Sequence, residues 1–264
     1  MMEFIKLARR RGLWADVTHT ALNLLYAVLL VAVIIAFPNT PWPALVLVLL
    51  SKWRVIAVRP RYWWANFLGS LPDVVLALGV TILMWHAGDV ALATGLTAWP
   101  VQVSLGLFYA VWLIWLKPQH KSSMVLLQSG LSQFVGIMAI FSVAYALPLV
   151  VVVLLAFVVA FASSRQQLGI HEEKEHVVLA LIWSLVVAQL AFAAWHWTVA
   201  YQITPLLKVP QIAIIITVLG FVTERFYYSY KKNDAVKWSD VGWPIVFAII
   251  VILLLIFGFG GLFV

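Results

Sequence analysis

The sequence contains no cysteine and few charged residues. The absence of cysteine excludes disulfides, thiolate metal sites and cysteine nucleophiles. Charged residues make up 10 % of the chain, whereas a soluble domain usually carries about 25 %. So few charges cannot form the water-exposed surface of a soluble domain, and hydrophobic residues make up 64 % of the sequence. The composition therefore predicts a protein embedded in a membrane.

Apolar runs of about 20 residues recur along the whole chain, and a run of that length crosses a bilayer as a helix. Helices satisfy their backbone polar groups internally, which a lipid environment requires. We therefore predict an all-α, polytopic transmembrane helical bundle with nine spans, in which residues 1–264 form a single integral membrane domain. The predicted spans cover residues 18–37, 43–58, 70–86, 99–116, 123–145, 148–163, 177–201, 209–223 and 241–264. The third of them ends near His86 or one to two turns later.

Lysine and arginine are distributed asymmetrically among the predicted loops. All 17 of them except Lys208 fall on one side of the membrane in the nine-span topology. Because cytoplasmic loops are enriched in lysine and arginine, the N-terminus is predicted inside, the C-terminus outside, and the chain in the plasma (inner) membrane. The formal charge of +7 then indicates membrane lipids with anionic headgroups at the inner face as partners, and not nucleic acid.

The segment that follows the second predicted span combines basic and aromatic residues. Residues 59–68 contain two arginines and four aromatic residues, and this mixture predicts a short interfacial helix. Ser70, Pro72 and Asp73 then match a capping box at the start of the third span. The alternative is that Asp73 lies inside this span as a buried ion or proton site.

Three predicted spans carry a polar face. Helical spacing places the polar residues of each span close together on its surface. Such faces either line a path for a small solute or form hydrogen bonds between packed helices. The residues are His19, Asn23 and Tyr26 in the first span, Gln128, Ser132 and Gln133 in the fifth, and Gln189 and His196 in the seventh.

The segment from His171 to His176 contains two histidines and three glutamates. It does not match the H-E-x-x-H zinc motif, because its second histidine comes one residue too late. We interpret the segment as the solvated start of the seventh span, with acidic residues near a helix N-terminus. The sequence therefore predicts neither a metal site nor a cofactor.

Three loops on the predicted inner side carry spaced residues of the types that bind and cleave phosphate esters. The segments are Lys52-x6-Arg59-Pro60, Pro118-Gln119-His120 and Ser164-Arg165-x5-His171-x3-Glu175. In that order they resemble the first, second and third motifs of the type-2 phosphatidic acid phosphatase superfamily. The second match is the weakest, and Glu175 stands where that family has aspartate.

The resemblance implies a membrane phosphatase that acts on lipid-linked or small phosphate esters at the cytoplasmic face. The lysine and the two arginines of the first and third motifs would neutralise the phosphate. His171 would attack phosphorus while Glu175 orients its ring. His120 would protonate the leaving oxygen.

The functional prediction from the sequence is a non-enzymatic multi-pass membrane protein that packs, scaffolds or passes a small solute. No acidic or basic residue is predicted at mid-membrane, which argues against a proton-driven carrier. The alternative is the phosphatase described above. A third class, a lipid-handling protein whose polar faces line a groove, is compatible with the sequence but has no specific motif.

Overall fold

A computed structural model describes residues 13–55, 57, 59–117, 121–171, 173–197 and 199–258. These residues form nine α-helices and one short antiparallel hairpin, so the prediction of an all-α protein is confirmed in its main feature. The helices are α1 Leu13–Ala36, α2 Trp42–Ser51, α3 Trp63–Thr94, α4 Trp99–Val111, α5 Ser122–Ser142, α6 Leu149–Ile170, α7 His176–His196, α8 Gln211–Asn233 and α9 Trp238–Leu253. The strands, which the sequence analysis did not predict, are β1 Ala200–Thr204 and β2 Leu207–Pro210.

Seven helices of the described chain are long and apolar enough to cross a membrane. The two shorter apolar helices are α2 and α9. The 10 residues of α2 rise about 15 Å, which is half of a hydrocarbon core of about 30 Å. Helix α2 is therefore shorter than the second predicted span, 43–58, and a 3₁₀ turn at Trp53–Val55 follows the helix.

Helix α9, whose α-helical part has 16 residues, contacts α8 near its start and β1 near its end. Near its start, Asp240 accepts hydrogen bonds from Ser229 Oγ at 3.1 Å and Asn233 Nδ2 at 3.0 Å, both at the end of α8. A π turn extends the helix over Leu254–Gly258. There the Leu255 carbonyl accepts a hydrogen bond of 2.7 Å from the Tyr201 hydroxyl of β1.

The basic loops meet at one end of the bundle, which we call the basic end; α2, α4, α6 and α8 all end there. Lys52, after α2, and Lys117, after α4, both contact Asp73 of α3. Glu173, after α6, contacts Lys231 of α8. The hairpin marks the opposite end, which we call the hairpin end. The lysine and arginine pattern predicts that this end faces the inside of the membrane, and this orientation stays a prediction.

Helices α3, α5 and α6 pack closely through small residues. A Cβ atom added to Gly79 of α3 would stand 3.1 Å from the Val135 carbonyl oxygen of α5. A Cβ added to Gly136 of α5 would stand 2.7 Å from Val75 of α3 and 2.9 Å from Val159 of α6. In a membrane, where helix association depends on van der Waals packing, such close approach stabilises the bundle.

The polar face of the fifth predicted span bonds to neighbouring helices. Ser132 Oγ donates to the Pro72 carbonyl of α3 at 2.8 Å. Gln133 Nε2 donates to the Ile216 carbonyl of α8 at 3.2 Å, and Ser163 Oγ of α6 donates to Gln133 Oε1 at 2.5 Å. These contacts agree with interhelical hydrogen bonding rather than with a solute path.

The other two polar faces do not join that of α5. His19 and Asn23 contact each other at 3.2 Å within α1. Gln189 and His196 of α7 are exposed. The structure therefore does not bring the three faces together around one path.

Helix α3 corrects the predicted start of the third span. It runs without interruption from Trp63 through Pro72 to Thr94, so the capping box is wrong. Ser70 is an internal residue whose hydroxyl bonds back to the Phe67 carbonyl at 2.9 Å. The helix continues past Pro72 because packing against α5 and the neutralisation of Asp73 outweigh the hydrogen bond that proline removes.

Candidate functional site

Asp73 holds two lysines from separate parts of the chain. The side chain of Lys52, the C-cap residue of α2, places its Nζ 2.5 Å from Asp73 Oδ2. Lys117 places its Nζ 2.9 Å from the same oxygen. The other carboxylate oxygen, Oδ1, accepts a hydrogen bond of 3.3 Å from Trp112 Nε1. Asp73 therefore lies inside the helix and forms two ion pairs, and its role as an ion or proton site stays a prediction.

A π turn at the end of α4 positions Trp112 and Lys117. The backbone N–H of Lys117 bonds to the Trp112 carbonyl at 2.9 Å, five residues earlier. The turn covers Trp112–Leu116 and keeps the Trp112 indole buried beside Asp73. π turns inside helices are frequent at functional sites.

The cluster of Lys52, Lys117 and Asp73 carries two positive charges and one negative charge, and it is partly shielded from solvent. The side chains of Lys52 and Asp73 are 13 % and 18 % exposed, while that of Lys117 is 45 % exposed. Burial lowers the pKa of the Lys52 ammonium from its ordinary value; Asp73 opposes this shift and the charge of Lys117 adds to it. One carboxylate thus serves two ammonium groups, which repel each other.

The three charged residues line a half-open cavity of about 390 Å³, which we call the Lys52 cavity. The amide of Gln166, from α6, has its Oε1 buried without a hydrogen-bond partner in the described part of the chain. Because amide oxygen and nitrogen are interchangeable by rotation, this group offers a ligand either a donor or an acceptor. The cavity is lined by Ser51, Lys52, Val55, Gly69, Ser70, Pro72, Asp73, Trp112, Lys117, Val125, Gln128 and Gln166.

Exposed aromatic residues precede the lining residues Gly69 to Asp73 along the chain. Trp64 is 71 % exposed and stacks on Phe67, and the Arg61 guanidinium lies 4.7 Å from the centre of the Tyr62 ring. All four belong to the segment predicted as an interfacial helix, of which the structure makes a 3₁₀ turn and the first turns of α3. Such residues are typical of the headgroup level of a membrane.

The residues of the phosphatase motifs divide between two places. Lys52 lies in the cavity just described, whereas His171 lines a second cavity of about 210 Å³ between α6, α7 and α8. Arg59 is exposed before the 3₁₀ turn at Pro60–Tyr62. Arg165 is half-buried, and its Nε has no hydrogen-bond partner among the described residues. His120 lies outside the described residues, so the phosphatase interpretation stays a prediction.

The carboxylate that contacts His171 is not the predicted one. Helix α6 ends at Ile170 and α7 begins at His176, so His171 and Glu175 lie between the two helices, and Glu175 is exposed. Instead Glu224 Oε1 of α8 lies 3.4 Å from His171 Nε2, without hydrogen-bond geometry. The Glu224 side chain is 7 % exposed and also lies 3.4 Å from the Arg225 Nε.

Glu224 and Asp73 are the functional candidates that the sequence analysis missed or left open. The eighth span was predicted to end at residue 223, whereas α8 continues to Asn233. Glu224 therefore belongs to the helix, and it is buried. The signal that could have found both residues is an isolated acid within an otherwise apolar helical pattern. In the described part of the chain, no three histidine or acidic residues come close enough to hold a metal ion.

The loop between α6 and α7 is fastened to α8 through Glu173, and this contact gives a pH prediction. Glu173 accepts a hydrogen bond from the Tyr227 hydroxyl and lies 3.1 Å from Lys231 Nζ. These two groups lower the pKa of Glu173 from 4.5 to about 2. Because the pKa is lower in the folded state, ionised Glu173 stabilises the fold above its unfolded pKa, and this contribution is lost as the pH falls towards 2.

The measurement is the difference in unfolding midpoint between the wild type and Glu173→Gln as a function of pH. We expect a constant difference above about pH 5 and a shrinking one below it. A difference that grows as the pH falls would contradict the assignment of this contact. Glu175→Gln, in the same turn but exposed, is the control and should show no such dependence.

Comparisons with known proteins do not identify a relative. No protein-family model matches the sequence, and no curated protein or solved structure shows a significant match. The helices are compatible with a multi-pass membrane protein. A function is therefore proposed from the cavities and contacts of the chain itself.

Proposed function

We propose that this is a non-enzymatic multi-pass membrane protein that binds the phosphate group of an anionic lipid in the Lys52 cavity. The observation that carries the proposal is that Lys52 and Lys117 share one carboxylate, that of Asp73. We further propose that the basic end faces the cytoplasm at the plasma (inner) membrane, as the lysine and arginine pattern indicates.

The unpaired charge favours an oxyanion as the ligand. A lysine ammonium has three N–H donors, and each of Lys52 and Lys117 directs one contact to Asp73. The remaining donors and the net charge of the three groups suit a phosphate, which forms strong charge-assisted hydrogen bonds with lysine. An anion placed between the two ammonium groups would also reduce their mutual repulsion.

The position of the cavity along α3 favours a lipid as the source of the phosphate. About 20 helical residues cross the hydrocarbon core, so counting back from the end of α3 at Thr94 places Asp73 near the boundary of that core. The exposed aromatic and basic side chains of residues 61–67 precede Asp73, in the 3₁₀ turn Pro60–Tyr62 and the first turns of α3. Lipid phosphates are concentrated at this level.

The test measures binding of anionic lipid by the full chain reconstituted in phosphatidylcholine nanodiscs. We expect Lys117→Met to weaken the preference for phosphatidic acid over phosphatidylcholine about tenfold, the effect of one charge-assisted hydrogen bond. Lys52→Met should act in the same direction. Lys121→Met is the matched control, because Lys121 is an exposed lysine of the same loop outside the cavity lining.

Three outcomes separate the alternatives. Equal binding by Lys117→Met and the wild type would overturn the proposal. Competition by inorganic phosphate at the concentration of the lipid would identify free phosphate, rather than a lipid, as the ligand of the same site. A third outcome is that the wild type releases phosphate from phosphatidic acid while His171→Ala does not. That outcome would favour the phosphatase, because His171 lies outside the Lys52 cavity.

A further inference from the structure

A second polar cavity, of about 660 Å³, lies at the hairpin end. We call it the hairpin cavity. Helices α3, α5 and α7, the 3₁₀ turn Ala144–Ala146 and both strands contribute to its wall. Its main polar and aromatic lining residues are His86, Ser142, Tyr145, Trp195, Gln202 and Lys208.

The hairpin forms one wall of this cavity and is fixed in place. Its tip residue Leu206 is 5 % exposed and packs against Ala87 and Ala91 of α3. Gln202 of β1 stands opposite Lys208 of β2 in the register. Residues directly opposite in an antiparallel pair project from the same face, and both of these line the cavity.

Lys208 supplies this cavity with an unpaired positive charge. Its ammonium has no ion-pair partner among the described residues, whereas Lys52, Lys117 and Lys231 of the basic end each contact a carboxylate. Asp89, the acid nearby, accepts a hydrogen bond of 3.3 Å from the Tyr145 hydroxyl. Both Asp89 and Lys208 lie within electrostatic range of the His86 imidazole, whose Nδ1 is buried without a hydrogen-bond partner in the described chain.

Two features indicate that Lys208 binds a ligand and does not serve to orient the chain in the membrane. The lysine and arginine bias that orients a membrane protein acts through the cytoplasmic loops, so a lone lysine at the opposite end does not contribute to it. In addition, Lys208 lies on a strand opposite Gln202, and the Gln202 amide and the His86 imidazole line the same cavity. An exposed lysine that served only solubility would not require either neighbour.

We infer that the hairpin cavity binds a small organic anion, a carboxylate or a phosphate monoester. The Lys208 ammonium would pair with the anionic group, and the Gln202 amide and the His86 imidazole would hydrogen-bond to it. The site is separated from the Lys52 cavity along α3, with the buried residues Leu76, Val80 and Leu83 between them. The inference is therefore independent of the proposed function.

The experiment uses the full chain in phosphatidylcholine nanodiscs with Lys117→Met as the background, which weakens anion binding in the Lys52 cavity. The protein is titrated calorimetrically with three anions. Succinate and inorganic phosphate represent soluble ligands, and dihexanoylphosphatidic acid represents a lipid headgroup. We expect at least one of them to bind, and Lys208→Gln to raise its Kd about tenfold. Lys208→Arg, which keeps the charge, should retain most of the affinity.

Ile203→Gln is the matched control, because Ile203 is an exposed residue of β1 outside the cavity lining. It should leave the Kd unchanged, and the unfolding midpoint of Lys208→Gln should equal that of its background. Binding of succinate or phosphate identifies a soluble ligand, and binding of the lipid alone identifies a headgroup. Absence of binding by all three probes, or equal binding with and without Lys208, would overturn the inference.

Discussion

Replacing Asp73 by asparagine is expected to destabilise the fold and, at the same time, to tighten the binding of phosphate lipids. The substitution keeps the shape of the side chain but leaves the Lys52 ammonium, which is 13 % exposed, without its counter-charge. Removing one partner of a buried ion pair costs about 3 kcal/mol of unfolding free energy. The Lys52 cavity meanwhile gains net positive charge, so its affinity for an anion should rise.

The opposite signs of these two effects make the prediction specific. The unfolding free energy is measured by denaturant titration in detergent, and lipid affinity in nanodiscs. Asp234→Asn is the control, because Asp234 is exposed at the same end of the bundle, and asparagine tolerates its φ of 53°. Adding Lys52→Met to Asp73→Asn should recover part of the lost stability, since the unpaired buried charge is then removed.

A stable Asp73→Asn protein would show that the contacts of Asp73 with Lys52 and Lys117 do not support the fold. A destabilised variant with weaker lipid binding would show instead that Asp73 is needed to shape the cavity. Only a lower unfolding free energy together with a higher lipid affinity agrees with the proposal that Lys52 and Lys117 share one carboxylate and also bind a lipid phosphate.

Replacing Gly79 by alanine is expected to lower the stability of the bundle through a single added methyl group. The new Cβ would stand 3.1 Å from the Val135 carbonyl oxygen and 3.0 Å from the Val135 side chain. A backbone oxygen cannot move aside without displacing α5, so α3 and α5 must separate. Overpacking of this kind typically costs about 1–3 kcal/mol.

Gly130→Ala provides the matched control in the partner helix. A Cβ at Gly130 would meet no atom within 4 Å, and alanine forms helix better than glycine by up to about 1 kcal/mol. We therefore expect this variant to be as stable as the wild type or more so, as measured by the same denaturant titration. If Gly79→Ala were as stable as the wild type, this result would contradict the close approach of α3 and α5.

The helical pattern could be predicted because it depends on local hydrophobicity. Runs of apolar residues correctly indicated the long helices. The ends of α5 and the start of α6 fell within a few residues of the predicted ones, whereas α6 continues from its predicted end at residue 163 to Ile170. The hairpin at Ala200–Pro210 was missed because nine residues of two short strands give little periodic signal beside strongly apolar neighbours. The capping box at Ser70 failed because a correct local motif was overridden by the packing of α3.

The candidate site was predictable only in part. The phosphatase motif selected Lys52, which does line a cavity, but it paired Lys52 with His171 rather than with Asp73 and Lys117. The three residues of the observed cluster come from three separate segments, and their side-chain contacts depend on how those segments pack. A spacing rule cannot describe contacts of this kind, because sequence distance carries no information about them.

The sequence by itself determined that the chain forms apolar helices of membrane length and that its basic loops belong to one end. Both properties follow from hydrophobicity and from charge, which each segment carries independently of the others. Only the tertiary structure decided that Asp73 accepts two lysines, that Glu224 is buried beside His171, and that Lys208 stands over a cavity. These arrangements depend on which helices touch, and that is fixed by packing between small residues such as Gly79 and Gly136 rather than by any local pattern.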